Sequence, residues 1–226
     1  MKIDILTLFP QMFDKIFEES IIKRAIDNKL VEINIHNFRD YSKDPHHKVD
    51  DYPYGGGVGM VLACQPIFDC VEALKTNNTK VILLTPSGNL YKQKIAYDLS
   101  QEEHLIIICG HYEGFDERIL SICDYQISIG DYVLTGGEIP AMVLVDSIVR
   151  LIDGVIKEES HLEDSFSKNN LLDYPTYTKP RVFRGLKVPE VLLSGDHKKI
   201  EEYRHQISIE KTKKLRPDLF GGEDNE

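Results

Sequence analysis

Two short, uninterrupted apolar runs place the strongest constraint on how this chain of 226 residues can fold. They are VILLT at 81–85 and LIIIC at 105–109, and the segment between them, 91–99, has apolar residues at helical spacing. Apolar runs of this length, bounded by turn residues, are typical of strands that are buried on both faces. Two such strands joined through a helix predict an α/β protein with a largely parallel sheet.

The rest of the first part of the chain continues this alternation. Further strands are predicted at 2–9, 31–36 and 126–129, and further helices at 12–28, 66–74 and 138–152. The last of these helices is strongly apolar, so we expect it to be buried. Pro140 falls in its first turn, where proline is tolerated.

A change of composition divides the chain. Residues 157–178 are polar and end beside two prolines, which predicts an interdomain linker. Residues 1–156 then form the α/β domain, and residues 179–226 form a small, mainly helical domain. The segment 181–216 holds ten Lys and Arg against five Asp and Glu, although the whole chain carries a net charge of -10. Such a basic patch can bind phosphates, and the alternative is a solvated helix face.

Composition excludes several classes of protein. The chain has 42% hydrophobic and 28% charged residues, as in ordinary globular proteins. Its apolar runs are far shorter than the ~20 residues that a membrane span needs. Asp4 and Pro10 interrupt the N-terminal stretch, which therefore lacks the features of a secretory signal. We expect a cytoplasmic protein with no membrane segment, and the absence of a C-x-x-C pair predicts reduced thiols rather than a zinc site.

Three glycine-containing segments, 85–90, 109–118 and 129–141, each follow a predicted strand. Ligands of open α/β sheets bind at the carboxyl ends of strands, and glycine lets the backbone approach them closely. None of the segments has a phosphate-binding fingerprint. Their carboxylates would repel a pyrophosphate but accept hydrogen bonds from sugar hydroxyls. They predict a site for a phosphate-free nucleoside, and the alternative is that three glycine turns simply end three strands.

These segments, together with motifs elsewhere, resemble those of a known family. In chain order the motifs are FPQMF, DDYPYGGGVGM, CGHYEGFDER, IGDYVLTGGEIPA, EDSF and PRVFRGLKVPEVLLSGDH. The combination resembles the bacterial tRNA guanine-N1 methyltransferases of the SPOUT class, from the first residue to about Leu219. One departure is His111, where the family commonly has arginine.

The resemblance implies a fold and a cofactor. It implies an α/β domain whose C-terminal part is tied in a trefoil knot, with S-adenosyl-L-methionine bound in a bent conformation within the knot loops. The residues that match the family's cofactor contacts are Leu84, Pro86, Gly110, Tyr112, Glu113, Gly114, Ile129, Gly130, Tyr132, Leu134, Gly136, Gly137 and Pro140. Many of them would act through backbone groups, which is why glycines are suitable.

The resemblance also implies a reaction, the transfer of a methyl group to N1 of guanosine 37, just 3′ of the tRNA anticodon. That nitrogen carries a proton at neutral pH, so a base must remove the proton before the lone pair can attack. By resemblance Asp164 is the base, and Arg150 stabilises the negative charge that develops on guanine O6. Both residues have ordinary alternatives: Arg150 lies near a predicted helix end, where a cation is favourable, and Asp164 lies among other acids.

The implied partners are tRNA and a second copy of the chain. Family members are homodimers in which the knot of one subunit meets the linker and C-terminal domain of the other. They also use a divalent cation, usually Mg²⁺, for which the sequence shows no ligand spacing. Asp50 resembles a tRNA-contacting position, and its alternative role is to initiate a turn. Two other functions stay open: a non-catalytic RNA-binding protein on the same fold, and a SPOUT methyltransferase that acts at another RNA position.

Overall fold

The chain divides into two compact units in a computed structural model, which describes residues 1–156, 164–166 and 170–220. The first unit comprises residues 1–156 and the second residues 157–226. The segment 157–178, predicted as a linker, falls within the second unit. Of that segment, residues 157–163 and 167–169 lie outside the described residues.

A five-stranded sheet forms the centre of the first unit. Its strands lie in the order β2-β1-β6-β5-β7, and every neighbouring pair is parallel. The bounds are β1 Lys2–Thr7, β2 Glu32–Asn37, β5 Thr79–Leu90, β6 His104–Cys109 and β7 Tyr125–Ser128; β3 Asp50–Asp51 and β4 Val61–Leu62 form a separate antiparallel pair. The prediction of a largely parallel α/β sheet is confirmed. Ile82 and Ile107 are fully buried on the inner strands, as the continuous apolar runs indicated.

Helices cover both faces of this sheet. They are α1 Ser20–Asp27, α2 Cys64–Leu74, α3 Gln93–Ser100 and α4 Glu138–Val149. Side chains of α1, α3 and α4 belong to one buried cluster, and those of α2 belong to the cluster on the other face. Pro140 is the third residue of α4, so its missing N–H costs no helical hydrogen bond. In the described part of the chain, no helix is both long and apolar enough to cross a bilayer.

The helix predicted over residues 12–28 is wrong in its first half. A 3₁₀ helix covers Pro10–Phe13, turns follow, and α1 begins only at Ser20. Ser20 has a φ of 55°, which an uninterrupted right-handed helix cannot contain. Phe13 and Phe17 are nevertheless buried, with ring centroids 6.0 Å apart. The spacing of apolar residues over 12–28 therefore identified residues that are buried, but it did not correspond to one continuous helix.

The described part of the second unit contains one long helix and a small hairpin. The helix is α5, His197–Leu215, and the hairpin strands are β8 Val182–Phe183 and β9 Leu186–Lys187. The Asp196 side chain caps α5 by accepting a hydrogen bond from the N–H of Lys199 at 3.2 Å. Arg184 and Gly185 join β8 to β9, and both have positive φ, as a two-residue hairpin turn requires. The hairpin was not predicted, because strands of two residues are too short to show a period.

Candidate functional site

The three predicted glycine loops lie at the carboxyl-terminal edge of the sheet. One follows β6, one follows β7, and the third, residues 85–88, interrupts β5. Leu84 and Asn89 both pair with Ile127 of β7, so the four residues between them bulge out of the ladder. The predicted end of this strand at residue 85 is therefore too early, because the chain returns to pair with β7 as far as Leu90.

Backbone contacts hold the loops after β6 and β7 against each other. The N–H of Gly137 donates a hydrogen bond to the carbonyl oxygen of Gly110 at 2.8 Å, and His111 forms an antiparallel bridge with Gly136. A Cβ atom at Gly137 would lie 2.7 Å from Cα of Cys109. No side chain can be accommodated at that distance, so glycine at 137 is what allows the two loops to meet.

A cavity of about 450 Å³ opens between these loops, a size within the usual range for small-molecule sites. Its wall includes every residue that the resemblance assigns to the cofactor: Leu84, Pro86, Gly110, Tyr112, Glu113, Gly114, Ile129, Gly130, Tyr132, Leu134, Gly136, Gly137 and Pro140. These residues come from three separate segments of the chain. The fold thus brings all of them to one place.

The cavity wall combines apolar surface with a small number of polar groups. Leu84, Ile127 and Pro140 contribute apolar surface, while Glu113 and Glu117 contribute carboxylates. Carboxylates accept hydrogen bonds from sugar hydroxyls and amino groups, and their negative charge favours a cationic ligand. This chemistry suits a nucleoside that carries a positive charge.

His111 also lines the cavity, beside a buried carboxylate. Its Nδ1 atom is buried, has no hydrogen-bond partner among the described residues, and lies 4.0 Å from Oε2 of Glu138. The other oxygen of Glu138 accepts a hydrogen bond from the hydroxyl of Thr7 at 2.7 Å. A Cβ atom at Gly136 would lie 2.5 Å from Nδ1 and 2.3 Å from Oε2. Glycine at 136 therefore leaves the room in which the imidazole and the carboxylate face each other.

Three predicted site residues remain, Asp50, Arg150 and Asp164. In the part of the chain that the structure describes, none of them lines this cavity. Asp50 lies on β3 and pairs with Leu62, which follows the wall residue Val61. Arg150 caps the C-terminal end of α4, ten residues after Pro140 and therefore about 15 Å farther along the helix. Asp164 belongs to the second unit, where it lines a different cavity of about 340 Å³. The fold gathers the predicted cofactor residues but divides Arg150 and Asp164 between the two units.

Sequence reasoning missed several residues of the wall. Thr85 and Ser87 flank the predicted contact Pro86, and their hydroxyl oxygens lie 3.0 Å apart. Their adjacency to Pro86 was the available signal. Val61 gave no comparable signal, because β4 reaches the cavity only through pairing with a distant loop: the N–H of Leu62 donates to the carbonyl oxygen of Gly114 at 3.0 Å.

The thiol nearest this site is not suited to nucleophilic chemistry. Burial raises the pKa of Cys109 well above its ordinary value, and the negative charge of Glu138 raises it further. The thiol therefore stays protonated at neutral pH. No group of three or more His, Cys, Asp and Glu side chains is arranged to hold a metal ion within the ranges that the structure describes.

Comparison with known proteins shows what the chain is related to. The model of the family described as tRNA (Guanine-1)-methyltransferase TrmD matches residues 1–222. A protein from Malacoplasma penetrans (strain HF-2), named tRNA (guanine-N(1)-)-methyltransferase, is 60% identical over 220 residues, which cover 97% of each chain. Proteins of the same name from Ruminiclostridium cellulolyticum and Clostridioides difficile are 56% and 54% identical, covering 97% of this chain and 96% and 97% of their own. The resemblance seen in the motifs is confirmed, and the chain belongs to the tRNA (guanine-1)-methyltransferase family.

Proposed function

We propose that this protein transfers a methyl group from S-adenosyl-L-methionine to N1 of guanosine 37 of tRNA. Membership of the tRNA (guanine-1)-methyltransferase family supports the reaction and the substrate class. The observation that carries the proposed site is the convergence of thirteen cofactor residues, expected from sequence, on one cavity at the carboxyl edge of the sheet.

The residues of the cavity fit this cofactor. Leu84 and Pro140 would contact the nucleoside through apolar surface, and the backbone around Gly110 would supply hydrogen bonds. The Glu113 carboxylate would accept hydrogen bonds from hydroxyl or amino groups, and its charge favours the sulfonium cation. When bound, S-adenosyl-L-methionine supplies an electrophilic methyl group. We also propose the trefoil knot that the family resemblance implies.

Asp164 and Arg150 are the proposed catalytic residues. Asp164 would accept the proton from N1 of the guanine, and Arg150 would stabilise the negative charge on O6. Carboxylates are in general much weaker bases than the deprotonated ring nitrogen of guanine, and each unit of pKa mismatch costs about 1.4 kcal/mol. Arg150 must therefore lower the proton affinity of the guanine, and alignment of the reacting atoms must supply much of the remaining rate.

We propose that the active form is a homodimer in which Asp164 serves the cavity of the partner subunit. The placement of Arg150 and Asp164 supports a shared site, because neither residue lines the cavity of its own chain in the part that the structure describes. A second subunit can complete the site without any change in the fold of the first.

The substrate would be gripped by the basic C-terminal region. We propose that residues 1–156 hold the cofactor, that 157–178 link the two domains, and that 179–226 bind tRNA in the cytoplasm. The excess of Lys and Arg between residues 181 and 216 supports phosphate contacts. Asp50 is the proposed tRNA contact of the first unit. Mg²⁺ is the proposed divalent cation, with no ligand assigned.

Transfer of labelled methyl groups to tRNA transcripts tests the proposed function. Label from S-adenosyl-L-methionine should enter a transcript with guanosine at position 37 and should not enter one with adenosine there. Asp164→Ala should lower kcat by at least about 10²-fold, the usual contribution of a general base, and leave cofactor affinity unchanged. Label at another nucleotide would point to a different RNA position, and tRNA binding without any transfer would point to a non-catalytic RNA-binding protein.

A further inference from the structure

The segment that carries Asp164 is closed on itself by two hydrogen bonds. The N–H of Phe166 donates to the carbonyl oxygen of Leu171 at 2.8 Å. The N–H of Asp173 donates to the hydroxyl oxygen of Ser165 at 2.9 Å. Because Ser165 directly follows Asp164, the placement of Asp164 depends on where Leu171 and Asp173 are held.

Helix α5 holds those residues. The N–H of Leu172 donates a hydrogen bond to the hydroxyl oxygen of Thr212 at 2.9 Å. The ammonium group of Lys211 donates to the carbonyl oxygen of Asp173 at 2.7 Å. Thr212 and Lys211, near the end of α5, thus bind the backbone N–H of Leu172 and the backbone carbonyl of Asp173.

Thr212 is unusual for its position in the chain. Its side chain is fully buried, although the only other buried residue among the 19 of α5 is Ser208. The Thr212 hydroxyl donates to the carbonyl oxygen of Ser208 at 2.7 Å while it accepts from Leu172. Both roles of the hydroxyl are therefore used. Valine has the same shape as threonine but would leave the N–H of Leu172 without its acceptor.

The same helix and segment enclose the second cavity, of about 340 Å³, which Asp164 lines. Across it the guanidinium of Arg204 lies 4.5 Å from the centre of the Tyr174 ring, which ties α5 to the segment a third time. Further lysines of α5, proposed above for phosphate contacts, are Lys198, Lys199, Lys213 and Lys214. One helix therefore carries both proposed RNA contacts and the support of the proposed base.

We propose that Thr212 is a positioning residue for Asp164, acting through Leu172 and assisted by Lys211. The inference rests on the proposed function, because it takes Asp164 to be the base. A catalytic group displaced by about 1 Å can lower the rate about 10²-fold. Loss of the anchor should therefore reduce kcat, whereas the affinities for cofactor and tRNA depend on other groups and should be kept.

The first test compares Thr212→Val with Thr212→Ser in the full-length protein. Thr212→Val should lower kcat by about 10- to 100-fold and change the KM for tRNA and the Kd for S-adenosyl-L-methionine less than about twofold. Thr212→Ser keeps the hydroxyl, so its kcat should stay within about threefold of the kcat of the unsubstituted protein. Deuterium exchange at the N–H of Leu172 should be faster in the valine variant only, which reports the anchor whether or not the protein is active.

The second test uses two lysines of α5 and leaves its two buried residues, Ser208 and Thr212, unchanged. Lys211→Met and Lys214→Met each remove one positive charge, but only Lys211 donates to the Asp164 segment among the described contacts. Lys214→Met should raise the KM for tRNA and keep kcat. Lys211→Met should lower kcat as well.

The outcomes separate this inference from the proposed function. If the unsubstituted protein transfers no methyl group, or if the Asp164→Ala variant is fully active, the proposed catalysis is refuted. The inference about Thr212 is then refuted as well. A folded Thr212→Val variant with full kcat, or a Lys211→Met variant that behaves like Lys214→Met, would overturn the inference alone. Unchanged exchange at Leu172 in the valine variant would show that the anchor does not hold the segment.

Discussion

Asp4 shows how a single buried carboxylate organises the inner part of the sheet. Its side chain is fully buried on β1, and it accepts hydrogen bonds from Nε2 of His104 at 2.7 Å and of His36 at 3.0 Å. The ammonium of Lys2 lies 2.8 Å away. Burial alone would raise the pKa of Asp4, but hydrogen bonds from His36, Lys2 and His104 outweigh it and hold the pKa well below its ordinary value. The ionised form is therefore the one that the fold requires.

Replacing this carboxylate should be costly. Asp4→Asn should lower the free energy of unfolding by about 3 kcal/mol, because it removes the buried negative charge that accepts hydrogen bonds from buried His104 and from partly exposed His36 and Lys2. Ionised Asp4 stabilises the folded chain above its ordinary pKa of 3.8, and this contribution is lost as the pH falls below that value. Urea unfolding between pH 3 and pH 7 should thus show a smaller decline at low pH for the variant than for the original protein.

Asp27→Asn is the matched control for this measurement. Asp27 pairs with Lys23 at 3.3 Å on the exposed side of α1, and such surface pairs contribute about 0.5 kcal/mol or less. Equal losses in the two variants, or identical pH profiles for Asp4→Asn and the original protein, would contradict the assigned role of Asp4.

At the scale of elements, the proposed cofactor site depends on the close approach of two loops, those that follow β6 and β7. Gly137→Ala would place a methyl group 2.7 Å from Cα of Cys109 and 2.8 Å from the N atom of Gly110, and these backbone atoms cannot move aside separately. Overpacking of this kind costs about 1–3 kcal/mol, and here it would push apart the loops that form the cavity. Calorimetric titration should show S-adenosyl-L-methionine binding weakened at least about tenfold.

Gly185→Asn provides a comparison in the hairpin of the second unit. Its φ of 82° is one that asparagine tolerates, and nothing lies within 4 Å of an added Cβ atom. This variant should keep cofactor affinity and thermal stability. Unchanged binding by Gly137→Ala would mean that the contact between the loops is not needed for the site.

The accuracy of sequence-based prediction also varied from element to element. The central parts of β5 and β6, residues 81–84 and 105–109, could be predicted because both of their faces are buried, so their side chains are apolar. The bulge at 85–88 could not be predicted, since it depends on where β7 pairs with β5. The break in the helix over 12–28 comes from the backbone of Ser20, which hydrophobic spacing does not report.

The candidate site, too, could be predicted from the sequence only in part. Its loops could be predicted because glycine clusters after strands mark the ligand-binding edge of an α/β sheet. The cofactor contacts were predicted from family resemblance, and the wall residue Val61 was missed because only tertiary pairing brings it to the cavity. The proposed support of Asp164 depends on a hydrogen bond from the backbone N–H of Leu172 to the hydroxyl of Thr212, and no local pattern encodes a bond between positions 40 residues apart.

For the whole molecule, the proposed sharing of Asp164 between subunits predicts complementation. Gly136→Trp should block its own cavity, since even a Cβ atom there would lie 2.5 Å from Nδ1 of His111. A mixture of Gly136→Trp and Asp164→Ala chains, refolded together, should regain about a quarter of the original methyl transfer, because half of the dimers are mixed and each holds one intact site.

Each variant refolded alone is the control and should be inactive. If Asp164 served the cavity of its own chain, no dimer in the mixture would contain an intact site. A mixture as inactive as its components, with dimers demonstrated by sedimentation, would therefore refute the shared site.

The division into two units also separates the charges. Residues 1–156 contain 14 Lys and Arg against 23 Asp and Glu, whereas the segment 181–216 has twice as many basic as acidic residues. A polyanion released from the basic segment would be repelled, rather than retained, by the first unit. Added salt would weaken both the attraction between RNA and the basic segment and the repulsion between RNA and the first unit. Salt would screen a small cation bound among carboxylates much less. Ionic strength should thus change the release of the proposed RNA product more than it changes the retention of the proposed cofactor.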